Sequence, residues 1–382
     1  MKYRALSLAA AVATALTIPA HTFAADSGTE STDSYSQRLA LSQRIKKLRA
    51  LRKKLPVPVP AGLFGIYAFP EKGQGVAGIN YQHFEFEGLL QGSDSVTAET
   101  VVTTTPNRFF GGAGQPPTLR VVPNSAKADV VFPFANFALN DQFALVALAP
   151  LIRKQTVLET FQGASGTTSL GTNTVTAEGL GDIKFGAIYK AFTSDMHGVV
   201  IDAVLSAPTG SITEEDNNLT PANTIVKTRL GYGMQLGSGT WDAILGVSYW
   251  GKKKDLGWGA QYLATIPLEE RNSEGWRYAN KHEGTAWLSY SWKPTFVTSV
   301  RMRAETQGSI KGIDPNIYGP GLGGDPDNYG GDKVELSLGA NWMYSMGHNI
   351  SLEFSKPIYQ DRNGVQADHD YSLMLSWRNG FF

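Results

Sequence analysis

From about Val76 to the C-terminus, apolar and polar residues alternate with period two. The segments run for roughly 10 to 14 residues, the length that a tilted membrane-crossing strand needs. The cleanest, KVELSLGANWMY, puts Val334, Leu336, Leu338, Ala340, Trp342 and Tyr344 on one face; Lys333, Glu335, Ser337, Gly339 and Asn341 take the other. Twelve such segments can be read, near 76–88, 127–138, 142–153, 180–192, 197–207, 225–236, 240–250, 282–293, 296–307, 333–344, 348–357 and 369–381. Their connections alternate. Short turns fall at Asn140-Asp141, Ser194-Asp195, Gly237-Ser238-Gly239, Pro294-Thr295 and Met346-Gly347, with long polar, Gly-rich stretches between them.

Tight turns at one rim and long loops at the other predict an all-β fold, a transmembrane antiparallel β-barrel of about 12 strands. A charge at the bilayer midplane costs about 2 to 4 kcal/mol on a barrel's lipid face, so the charged parity must face the lumen. The strand phase therefore assigns Lys184, Lys190, Lys227, Arg229, Arg301, Arg303, Lys333 and Arg378 to the lumen, against Asp182, Asp242, Glu305, Glu335 and Glu353. Two readings stand: the charges neutralise one another, or they form a selectivity constriction. Tyr249, Tyr290, Trp292, Trp342, Tyr344 and Trp377, near strand ends, are the expected interfacial girdle.

Ahead of the barrel the chain changes character three times. Lys2 and Arg4 precede the apolar run Ala5–Ile18, and the small-residue site around Ala24 completes a signal peptide over 1–24, which directs export. Residues 25–75 hold a polar, disordered stretch, a basic amphipathic helix on the stripe Leu41, Ile45, Leu48 and Leu55, and the Pro-rich linker PVPVP. The expected barrel is 76–382, and an even strand number leaves the helix on the periplasmic side.

Composition removes other classes. Net charge is zero and Cys is absent, so neither nucleic acid as a partner nor a disulfide framework is expected. None of the six His residues sits in a nucleophile motif, and no cofactor is implied. His83, Glu85 and Glu87 share one face of the first strand as a lumen-lining row or a metal site. Asp325, Asp327, Asp361, Asp368 and Asp370, in or beside outer loops, suit turns or calcium.

GLGDIKFGAIYK at Gly179–Lys190, DPDNYGG at Asp325–Gly331 and KPIYQDRNGVQADHDYSLMLSW at Lys356–Trp377 resemble the outer-membrane family of meta-pathway phenol degradation transporters. That resemblance implies a place in the bacterial outer membrane and passage of aromatic or other small hydrophobic solutes. Tyr371, Leu373, Leu375, Trp377 and Phe381 share one phase, and such a C-terminal strand resembles the signal read by the barrel assembly machinery. The expected activity is passive or facilitated uptake of a small solute, not catalysis, with outer-membrane lipid and that solute as partners. The alternatives are a structural or adhesive barrel with a plugged lumen, and a lipase-like barrel enzyme.

Overall fold

A strand that faces lipid must have hydrogen-bond partners on both edges, since hydrocarbon offers none to an open edge. In the computed structural model, which describes residues 39, 41–43, 60–63, 72–345 and 347–381, the chain meets this demand by closing a ring. The signal peptide lies outside the described residues, as does the basic helix except for Leu39 and residues 41–43, which are helical.

The first wall strand, β1 (Gly75–Gly92), leads through short β2 (Asp94–Val96) and helix α1 (Ala98–Thr104) to β3 (Val121–Ala138). β4 (Phe143–Leu148) continues past Ala149-Pro150 as β5 (Leu151–Phe161), and β6 (Ser169–Leu180) returns as β7 (Lys184–Thr193). β8 (His197–Ser206) is followed by a long connection carrying the hairpin β9 (Glu215–Leu219) and β10 (Ile225–Arg229). β11 (Asp242–Lys253) and β12 (Leu256–Pro267) then pair, followed by β13 (Trp276–Arg277), β14 (Lys281–Lys293), β15 (Phe296–Gln307) and β16 (Lys311–Gly312). β17 (Gly331–Ser345) and β18 (His348–Phe381) complete the chain.

Neighbours around the ring run β1-β18-β17-β15-β14-β12-β11-β8-β7-β4-β3 and back to β1, all antiparallel. Those are eleven strands, and β18 doubles back near Gly364, its first part pairing with β17 and its second with β1. Eleven plus that extra leg gives twelve crossings. Gly75 pairs with both Phe137 and Phe381, so the last strand seals the first and no edge remains between them.

Burial is inverted relative to a soluble sheet. Leu338 is 59% exposed while Ser337 beside it is 1% exposed. Leu245, Val247, Tyr262, Leu288, Met302 and Leu352 are likewise exposed, whereas Ser248, Gln261, Ser289, Arg301, Asn341 and Ser376 are buried. A water-soluble sandwich hides its apolar rows; a barrel that turns them outward is built for hydrocarbon. At the short-turn rim, Tyr290 and Trp292 pack at 4.8 Å, as do Phe143 and Tyr189, and Trp377 Nε1 donates to Tyr344 Oη at 3.0 Å. These aromatics form a girdle where membrane meets water.

One expected strand is exchanged for another. Residues 225–236 do not cross the wall: β10 is a loop hairpin strand, and 232–234 form a 3-10 turn. The missing crossing is β12, and the short turn lies at Lys254-Asp255 rather than 237–239. The reason is steric. Gly257 and Gly259 weaken the alternation of β12, and a Cβ on Gly259 would lie 2.2 Å from the Trp287 ring, so glycine makes room for an indole.

At the loop rim, Thr97 caps α1 by accepting from Thr100 N, and buried Val101 and Val102 pack with Leu89, Leu119, Val122, Phe161, Leu322 and Val365. A second cluster joins Ile212, Tyr232, Trp276, Ile310 and Ile317. The loops thus form an apolar-cored layer over the barrel.

Candidate functional site: the lumen and its apolar cavity

Three layers occupy the interior. Nearest the middle of the wall, the turn Pro60–Leu63 enters the lumen: Leu63 is buried between Trp250 and Trp287, and its N donates to Pro60 O at 3.3 Å. Gly62 lies against the Arg301–Glu353 ion pair so closely that an added Cβ would fall 2.4 Å from Glu353 Oε1. Any larger residue there would have to push the ends of those two side chains aside. Residues 64–71, the rest of the linker into β1, lie outside the described residues.

Above this turn runs a ladder of opposite charges supplied by four neighbouring strands. Lys281 Nζ lies 3.0 Å from Glu283, and Arg303 Nη1 lies 2.9 Å from Glu283 and 3.7 Å from Glu305. Arg303 also bonds Glu335, Lys333 lies 3.3 Å from Glu335, and His369 Nδ1 lies 3.3 Å from the same carboxylate. β14, β15, β17 and β18 put these residues on the inward phase, paired as Glu283↔Glu305 and Arg303↔Glu335. Like charges face each other across one pair, and the intervening Lys281 and Arg303 compensate them.

The third layer is a cavity of about 580 Å³ between the upper wall and the loops. Phe84, Phe86, Leu158, Val175, Met234 and Leu322 give it an apolar wall. His369, from the ladder, packs 5.0 Å from Phe86. Lys154 from β5 donates to Gly233 O and Gln235 O at 2.9 and 2.6 Å, pinning one loop over the cavity. Tyr329 holds another, donating to Gly323 O at 2.8 Å and accepting from Gly233 N at 3.1 Å. Burial raises the pKa of the Tyr329 and Tyr232 phenols, so both remain protonated.

Of the expected lumen residues, Arg301, Arg303, Glu305, Lys333, Glu335 and Glu353 meet in the interior in ion pairs. Arg378 is buried at the short-turn end, its Nε donating to Ser376 Oγ at 2.9 Å. Lys184 lies on the inward phase beside Asp182 O at 3.4 Å, and Lys190 pairs across β8 with buried Val200. Two placements are corrected. Lys227 sits on the exposed loop hairpin beside Glu215 at 3.4 Å, and Arg229 leaves the wall to bind Asp314 at 3.0 Å and Glu274 at 3.3 Å. Both follow from 225–236 folding over the barrel instead of through it.

The His83 row is also re-read. Its phase is that of Ile79, which is exposed, so His83 and Glu85 face outward; His83 bonds Asp129 at 2.8 Å and Glu85 at 3.0 Å. Asp325 and Asp327 each hold Arg108 Nη1 at 3.0 Å, and Asp370 holds Lys356 at 2.9 Å. Sequence reasoning missed Lys154, Arg362 and the cavity wall. Lys154 lies one residue beyond the expected strand end, and Arg362 lies inside a stretch read as loop.

No family profile and no curated protein sequence matches the chain. Solved structures do. The COG4313 outer membrane channel from Pseudomonas putida F1 superposes with a TM-score of 0.54 at 13% identity, over 85% of this chain and 100% of that one. The P. putida toluene transporter TodX and the CymD monoaromatic hydrocarbon channel give TM-scores of 0.40 and 0.41, at 11% and 7% identity, over 82% of this chain and 91% and 89% of theirs. The class that the ring, the inverted burial and the first superposition define is the transmembrane antiparallel β-barrel.

Proposed function

We propose that this protein is a bacterial outer-membrane channel that admits small hydrophobic or aromatic solutes through the apolar cavity, down their gradient. One observation carries the reading: a cavity large enough for a substituted benzene, apolar-walled, set above a lumen closed by ion pairs. An open pore for hydrophilic solutes requires a continuous aqueous path. Here Pro60–Leu63 and the charge ladder project into that path. The resemblance to phenol degradation transporters supports aromatic uptake, and the superposition on the COG4313 outer membrane channel supports a channel.

The test is binding of propylbenzene to the full-length exported protein in nanodiscs, by calorimetry. Binding is expected, and Ala128→Trp, which fills the cavity from its wall, should abolish it while the barrel keeps its heat-modifiable gel mobility. Undiminished binding to A128W would move the solute elsewhere and defeat the proposal.

A further inference from the structure

The cavity wall carries charge of one sign only. Lys127, Lys154, Arg229 and Arg362 are among its lining residues, and no Asp or Glu is among those described. Arg229 is neutralised from behind by Asp314 and Glu274, and Lys127 shares the strand phase of Asp129, which faces outward. Lys154 and Arg362 remain. Lys154 is held by two neutral backbone carbonyls. Arg362 Nη2 donates to the neutral Gln360 Oε1, and its Nε is buried without a hydrogen-bond partner. The nearby carboxylates are engaged elsewhere: Glu305 and Glu335 by Lys281, Arg303 and Lys333, and Asp368, whose charge also acts on Arg362, by Gln360 Nε2 at 2.6 Å.

A guanidinium beside an apolar wall is costly unless a counter-charge meets it. It also has a defined complement, since its planar fork matches a carboxylate. We propose that the cavity prefers solutes with an apolar body and a single negative charge, such as alkylated aromatic carboxylates, whose anionic head sits on Arg362. Lys154, also on the wall, adds a second positive charge. The inference rests on the cavity being the solute site. It goes further by assigning the charge of the solute.

The probes are 4-propylbenzoate and its methyl ester, which share an apolar body and differ in charge, each titrated at neutral pH into the full-length protein in nanodiscs. The benzoate is expected to bind about tenfold more tightly, the gain of one charge-assisted hydrogen bond. Arg362→Gln should erase that preference and leave ester affinity unchanged, while Arg362→Lys keeps most of it. Rising salt should weaken benzoate binding and not ester binding, a readout that needs only the wild-type protein. Equal wild-type affinities for the two probes would overturn the anionic preference and leave the apolar site standing. Binding of neither would overturn both.

Discussion

At the scale of single residues, the interior is a problem of compensating charge in a place with little water. Glu335 is 2% exposed and meets Arg303, Lys333 and His369. Breaking a buried pair from one side leaves the other charge stranded, at about 3 to 5 kcal/mol. Glu335→Gln is therefore expected to lower the unfolding midpoint of the detergent-folded barrel by a free energy of that order, as denaturant titration would measure. A surface pair behaves otherwise: Lys356→Gln, which frees Asp370 at an exposed site, should change stability by less than about 1 kcal/mol. Arg301 and Arg303 bind Glu353, Glu283 and Glu335, so removing both leaves acids in excess. The R301Q/R303Q double variant should shift reversal potentials in planar bilayers toward cation selectivity, and an unchanged potential would show that these residues set no filter. Such residues were legible from strand phase alone, because a charge beside an apolar row has only one side to face.

At the scale of elements, the turn Pro60–Leu63 occupies part of the lumen. It is wedged between two indoles and the Arg301–Glu353 pair, with no space beside Gly62. Gly62→Val should expel it and raise single-channel conductance several-fold over wild type in planar bilayers. Conductance equal to wild type would mean that the turn does not obstruct the path. Nothing in PVPVP or the residues after it announces this position, since an extended proline-rich segment has no periodicity that names its partner. Strand β12 was illegible for a related reason: Gly257 and Gly259 break its alternation, and Gly259 answers to the Trp287 indole on the next strand, not to a pattern of its own. Residues 225–236 erred the other way, for Ile225, Lys227 and Arg229 alternate as a wall strand does yet pair within the loop layer.

At the scale of the whole molecule, the ring is stable only if its outer face meets hydrocarbon. Leu338 faces outward, 59% exposed, with Met302 and Phe354 also exposed on the neighbouring strands. Leu338→Arg should cost about 2 to 4 kcal/mol in a bilayer-folded barrel, by denaturant titration, while Leu338→Phe should be near neutral. A small effect of L338R would place this face outside the membrane. The chain by itself determined the period, and with it the class, eleven of the twelve crossings and the closure by its last strand, because period two and the cost of charge in lipid are local facts. Only the tertiary structure decided which glycine-rich segment crosses, what enters the lumen, and that wall strands and loops together enclose an apolar cavity lined by cations. Each of those depends on what lies across the barrel, at a distance that no spacing along the chain encodes.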